Sequence, residues 1–182
     1  MNDLLRRRRE IMGQKSTELP VPIYDVSNVP LTSQLDTGIY LLQEGKSGWC
    51  VYVDMTNVRT SDGNLSTSSS LLSYYGTFWY WARTAGVVGC SGRMTSDIIS
   101  QSFDWLKTAI LNANFETMKF DVILNNGENI RPTQTIPDRV NSTASVTFGP
   151  NVPRGTQTIN RLVIWDCPLT ESQIKKVFKQ YQ

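Results

Sequence analysis

Apolar and polar residues alternate with period two over many short stretches of this chain, and that alternation predicts strands. Trp49, Val51 and Val53 alternate with Cys50, Tyr52 and Asp54, so the two triplets fall on opposite faces of one strand. Further short stretches separated by Gly, Asn, Ser and Pro predict strands at 38–42, 71–75, 77–82, 87–90, 115–124, 127–135, 144–149 and 158–166. Asn125-Asn126-Gly127 predicts a hairpin turn between 115–124 and 127–135. Residues 57–70, rich in Ser and Thr, read as a loop. Residues 96–112 permit a helical turn through Ile98, Ile99, Phe103 and Leu106, or a strand at 105–111; the strand is preferred.

The period changes at both ends. After the strand that closes on Trp165-Asp166, Pro168 stops pairing because it cannot donate to a ladder. Thr170 and Gln173 then stand at capping-box spacing. Leu169, Ile174, Val177, Phe178 and Tyr181 recur at helical spacing, which predicts a short C-terminal helix docked on a sheet. At the other end, Leu4, Leu5, Ile11 and Met12 fall on one side of a predicted helix, with Arg6, Arg7, Arg8 and Arg9 between them and Gly13 as its stop. Residues 16–30, with Pro20, Pro22 and Pro30, read as an extended linker in which Ile23–Val26 is able to pair as a short edge strand.

The ending Arg161-Leu162-Val163-Ile164-Trp165-Asp166-Cys167-Pro168-Leu169-Thr170 resembles the close of laminin-G-like (concanavalin A-like) domains. Residues 35–42 followed by 49–54 look like the opening strand pair of that family, and 118–128 is similar to its later hairpin. The resemblance implies an all-β fold, a two-sheet antiparallel jelly-roll sandwich over 31–182. An N-terminal helical arm at 1–15 and the linker at 16–30 precede it. It implies no single function, because such folds carry lectins, glycosidases, adhesion modules and spacers.

Charge and composition narrow the classes. The net charge is +2, but the first fifteen residues hold five basic residues against Asp3 and Glu10, a net of +3, which leaves −1 for the rest. The β-rich part is therefore not a nucleic-acid binder by charge. No apolar run is long enough to cross a membrane, and no secretory signal is read at the start. The chain contains no histidine, which removes Ser-His and Cys-His nucleophile systems. It also lacks the paired carboxylates on one strand face that glycosidases of this fold carry; Glu116 and Asp121 are an odd number apart. No catalytic residue is assigned and the chain is not expected to be an enzyme. Cys50, Cys90 and Cys167 form no Cys-x-x-Cys pair and read as free thiols. No metal or other cofactor is expected. Calcium would need several oxygen ligands together, for which Asp54, Asp62 and Asn64 are the candidates, while Asp62-Gly63-Asn64 also reads as a plain turn.

Two surfaces are candidates for binding. In the block Phe78-Trp79-Tyr80-Trp81, Trp79 and Trp81 share one face and Phe78 and Tyr80 the other. Trp79 and Trp81 are the candidate sugar platform; two-sided packing of the block inside a sandwich is the rival reading. The arm (Leu4, Leu5, Arg6, Arg7, Arg8, Arg9, Ile11, Met12) is the candidate docking segment, its apolar side filling a groove while guanidinium groups meet carboxylates; a solvated tail is the rival. Its opening resembles those of structural proteins of crAss-like tailed phages. The expectation is a phage virion accessory protein, a head fibre, capsid decoration or tail protein assembled in the host cytoplasm. It would be anchored by the arm to capsid or tail proteins and display a lectin-like domain toward a cell-surface glycan, with a trimer as one attractive arrangement. The alternative is a free-standing carbohydrate-binding module without catalysis.

Overall fold

The alternation at Gly48–Asn57 and at Gln157–Trp165 yields the two longest strands, and they pair with each other. The computed structural model describes residues 18–32, 35–41, 45–57, 69–74, 77–82, 87–92, 98–100, 108–124, 129–130, 145–148 and 157–181. Its strands are β1 (Tyr24–Leu31), β2 (Leu35–Asp36), β3 (Gly48–Asn57), β4 (Ser69–Tyr74), β5 (Thr77–Ala82) and β6 (Val87–Gly92). They continue with β7 (Ile98–Ser100), β8 (Thr108–Asn114), β9 (Lys119–Leu124), β10 (Asn129–Ile130), β11 (Thr147–Phe148) and β12 (Gln157–Trp165), before a helix, α1 (Glu171–Tyr181). The described chain is mostly β. One antiparallel sheet has the order β1-β12-β3-β8-β9-β10, and a second set of pairings runs β2-β11-β4-β5-β6-β7.

Period two sends the odd-numbered residues of β3 and β8 into the core. Trp49, Val51, Val53, Ala109, Leu111 and Ala113 are buried there with Phe120, Leu162 and Ile164. Ile159 joins them although it is three residues from Leu162, because β12 shifts register between Ile159 and Arg161. An extra residue in one strand restores the inward face after an odd step. β1 matches the irregularity: Val26 and Val29, also three apart, both pack on the core, and Asn28 between them has φ 55. Asn tolerates that left-handed backbone better than most residues.

The even-numbered face of the same sheet carries α1. Cys50, Tyr52, Ile110, Val163 and Trp165 are buried with Leu169, Ile174 and Val177, and Phe178 and Tyr181 pack at the margin. The expected capping box forms: the Thr170 N–H donates to Gln173 Oε1 (2.8 Å), and the Gln173 N–H reaches Thr170 Oγ1 at 3.4 Å. Gln173 also donates through Nε2 to the Glu18 carbonyl (2.7 Å), and the Trp165 indole N–H donates to the Pro20 carbonyl (2.9 Å). Residues 18–23 are thus strapped across this face, and β1 follows as a full edge strand on β12. From residue 18 onward the stretch expected as a linker packs across this face, and from Tyr24 it is a strand of the sheet.

One expected strand is corrected. Residues 38–41 form no strand and do not pair with β3, whose neighbours are β12 and β8. The Asp36 carboxylate accepts the Gly38 N–H (3.0 Å) and Gly38 takes φ 66, so the chain turns. The Thr37 N–H donates to the Val146 carbonyl (3.0 Å), and the Val146 N–H donates to the Ile39 carbonyl (2.8 Å), which tie the segment to the approach of β11 instead. The 115–124 stretch also splits: Phe115–Met118 is a turn in which Asn114 Oδ1 accepts the Glu116 and Thr117 N–H groups (2.9 Å each), and the strand begins at Lys119.

Candidate functional site

β3, β8 and β12 are occupied on both faces, by the core on one side and by α1 with Leu19 on the other. No flat side of these strands is left for a ligand, so any broad binding surface has to lie elsewhere.

Polar groups ring the margin of α1. Arg161 pairs with Asp25 (2.6 Å) and lies 5.2 Å from the Tyr181 ring centroid. The Tyr52 hydroxyl donates to the Tyr181 carbonyl (3.0 Å), and the Thr108 hydroxyl donates to Asp54 (3.3 Å). Lys46 pairs with Asp166 (2.6 Å) nearby. These contacts join neighbours of opposite charge or complementary hydrogen-bonding type, as in a structural margin. Burial, reinforced by the adjacent Cys167, holds the Cys50 thiol well above its ordinary pKa, which makes it inert as a nucleophile. Burial first, then the Asp54 carboxylate, push the Tyr52 phenol up to about 12. A phenol with a raised pKa keeps its proton longer in the folded state, so Tyr52 costs nothing below pH 10 and destabilises the fold as pH climbs from 10 toward 12. The expected loss over that window is about 2–3 kcal/mol. Tyr52→Phe should flatten the alkaline limb of stability against pH while losing the bond to Tyr181; an unchanged limb would assign the effect to other tyrosines.

Of the sequence candidates, Leu4, Leu5, Arg6, Arg7, Arg8, Arg9, Ile11 and Met12 lie outside the described residues, as do Asp62 and Asn64. Asp54, the remaining calcium candidate, lies on the α1 side. Among the described residues no three His, Cys, Asp or Glu side chains gather as a metal site would require, and no helix is long and apolar enough to cross a membrane. Trp79 and Trp81 lie in β5, with side chains outside the described set. β5 is an interior strand of the second sheet, flanked by β4 and β6. Trp79 is paired with Leu72 and Cys90, and Trp81 with Ser69 and Val88. Phe78 is paired with Ser73 and Ser91, and Tyr80 with Ser70 and Gly89. Ser73 in turn is paired with Thr147, and Thr147 with Asp36, whose carboxylate accepts hydrogen bonds from the Ser145 hydroxyl and the Gly38 N–H. Sequence reasoning missed Asp36 and Thr147, because nothing local marks their place in the same row as the aromatic block.

The chain matches no protein-family profile and no curated protein sequence. It is similar in structure to solved domains of sialidases and their binding modules. A mutant of the NanB sialidase from Streptococcus pneumoniae aligns with a TM-score of 0.61 at 11% identity, over 85% of this chain and 28% of that one. The CBM40 domain of the Ruminococcus gnavus IT-sialidase, bound to α2,6 sialyllactose, aligns with a TM-score of 0.57 at 15% identity, over 87% of this chain and 100% of that one. The leech intramolecular trans-sialidase aligns with a TM-score of 0.54 at 13% identity, over 88% of this chain and 28% of that one. The chain therefore spans about a quarter of the length of the sialidases it matches, from 22% to 28%, and the whole of the CBM40 domain. At these identities the likeness is one of fold, that of a lectin-like β-sandwich. It lends nothing to attachment on a virion.

Proposed function

We propose that this chain is a carbohydrate-binding module that acts without catalysis. In this reading the two sheets stack as a jelly-roll sandwich, and the glycan lies against the second sheet around β5. The observation that carries the reading is the extent of the overlap: the chain covers all of a sialyllactose-bound CBM40 domain and 28% of a sialidase. The geometry adds support, since β3, β8 and β12 of the first sheet are covered on both faces and the aromatic block sits on an interior strand of the other. Absence of histidine is in keeping with binding alone. Residues 1–15 then serve as the tether that joins the module to a larger body.

A glycan array probed with the full chain tests this, with sialyllactose and lactose among its sugars. Selective binding is expected, together with no release of reducing sugar over prolonged incubation. An array blank for every glycan would remove the reading, and sustained turnover would make the chain an enzyme.

A further inference from the structure

The second sheet has two faces, and its ladder distinguishes them. Leu35 packs against the core, and Val146 is buried within it. Asp36 and Thr147 each follow one of these residues directly, so they fall on the opposite face, and Asp36 is exposed. Directly opposed residues of an antiparallel pair share a face. Thr147 is opposed by Ser73, Ser73 by Phe78, and Phe78 by Ser91, so one row across five strands reads Asp36, Thr147, Ser73, Phe78, Ser91. Two residues further along β5, a second row on the same face reads Ser70, Tyr80, Gly89, Ile98. Trp79 and Trp81 fall on the other face, that of Leu35, in rows with Leu72 and Cys90 and with Ser69, Val88 and Ile99.

We propose that the Phe78/Tyr80 face is the ligand platform, that it takes a neutral hexopyranose, and that Trp79 and Trp81 belong to the core face. This rests on the carbohydrate-binding reading and makes it specific. The residue types agree with the register: the Trp79/Trp81 rows are almost wholly apolar, as a core face requires. The Phe78/Tyr80 rows set two aromatic residues among serine, threonine and glycine, with Asp36 ending one row and Ile98 the other. Aromatic rings offer flat apolar area for the C–H face of a pyranose, and hydroxyl groups donate to and accept from sugar hydroxyls. Neither row contains lysine or arginine. An anionic sugar would find no cationic fork there. It would meet instead the Asp36 carboxylate, which the Ser145 hydroxyl and the Gly38 N–H hold below the usual carboxylate range and therefore ionised. The face thus favours the lactose part of a sialyllactose over its acidic sugar.

The test uses the full chain, with lactose and sialyllactose as probes in calorimetric or NMR titrations. Tyr80→Ala and Phe78→Ala should melt as the wild type does and each lose about tenfold or more in affinity, the scale on which aromatic anchors act. Lactose should bind at least as tightly as sialyllactose. Folded Tyr80→Ala and Phe78→Ala variants that bind unchanged would overturn the platform, and strong preference for sialyllactose would overturn the neutral class. Maleimide labelling with peptide mapping judges the face without any sugar: in folded protein a cysteine introduced by Ser73→Cys should react and native Cys90 should be protected. The reverse pattern overturns the face assignment. If wild type binds neither probe and the glycan array is blank, the carbohydrate-binding reading fails and takes the named ligand with it, while the labelling pattern still decides which face is which.

Discussion

Gly48→Ala is expected to cost about 3–6 kcal/mol, roughly half of it from backbone strain and half from overpacking. Gly48 opens β3 directly opposite Asn114, at the mouth of the β8–β9 hairpin. Its φ is 151, a conformation that side-chain-bearing residues rarely adopt. A Cβ there would stand 2.0 Å from the Ala113 carbonyl oxygen and 3.1 Å from the Asn114 Cα, both of them backbone atoms. Backbone cannot swing aside as a side-chain tip does. The two strands would have to separate where the Phe115 N–H donates to the Ser47 carbonyl (2.8 Å) and where Trp49 and Ala113 meet in the core. Gly45→Ala is the control. Gly45 has φ 87 but nothing within 4 Å of a built Cβ, so only backbone strain applies, about 1–2 kcal/mol. Urea unfolding of the two variants separates strain from collision. Equal losses would mean that the close approach to Ala113 carries no cost.

The same residues show where sequence pattern sufficed. β5 spans 77–82 as its alternation predicts, and β12 and α1 stand where the Trp165-Pro168-Thr170 succession places them. These elements are encoded by neighbours: alternation, a proline stop, a capping box. Features that depend on distant partners were not legible. Residues 16–30, with three prolines, read as an extended linker with at most a short edge strand at Ile23–Val26, yet from residue 18 onward they are held by Trp165, Gln173 and the edge of β12, more than a hundred residues away. Strand identity follows tertiary pairing more than local preference. The paired irregularities at Asn28 and Asn160 are likewise invisible until β1 and β12 lie side by side. In the opposite direction, residues 38–42 alternate well enough to suggest a strand, but an Asp36 side chain competes for the backbone and wins.

The candidate surface was legible in kind and illegible in orientation. Four consecutive aromatic residues mark β5 as special, but Phe-Trp-Tyr-Trp is equally apolar on either parity, so period two alone cannot choose a face. The choice needs Leu35 and Asp36 on β2, linked to β5 through β11 and β4. That chain of pairings is long-range information. In the proposal above it moves the platform from Trp79 and Trp81 to Phe78 and Tyr80, so that the tryptophans should matter for stability and the phenylalanine and tyrosine for recognition.

Asn112→Ala is expected to cost about 2–5 kcal/mol, because it leaves two buried backbone groups unpaired. Asn112 is a buried polar residue in the middle of β8, on the α1 side of the sheet. Its Nδ2 donates to the Leu169 carbonyl (3.0 Å), and its Oδ1 accepts the Leu169 N–H (2.8 Å). The side-chain amide thus stands in for a strand and holds the residue that precedes the Thr170 cap. Without it, Leu169 keeps its buried position only by leaving both its N–H and its C=O without partners. The start of α1 should loosen first, seen as loss of amide-exchange protection from Thr170 onward and as a fall of the Tyr52 pKa toward its ordinary value. Asn112→Asp tests the donor alone. When ionised, the introduced carboxylate accepts from the Leu169 N–H but repels the Leu169 carbonyl; once protonated, it donates to that carbonyl again. Its pKa should therefore be raised in the folded state, so that the variant is weakest near neutral pH and recovers stability as pH falls through that raised value. A variant equally stable at about pH 7 and about pH 4.5, on either side of such a raised value, would show that the bond to the Leu169 carbonyl contributes nothing. Glycan binding on the second sheet should survive in the fraction that remains folded, because Asn112 lies on the far side of the first sheet from the core and thus from the proposed platform.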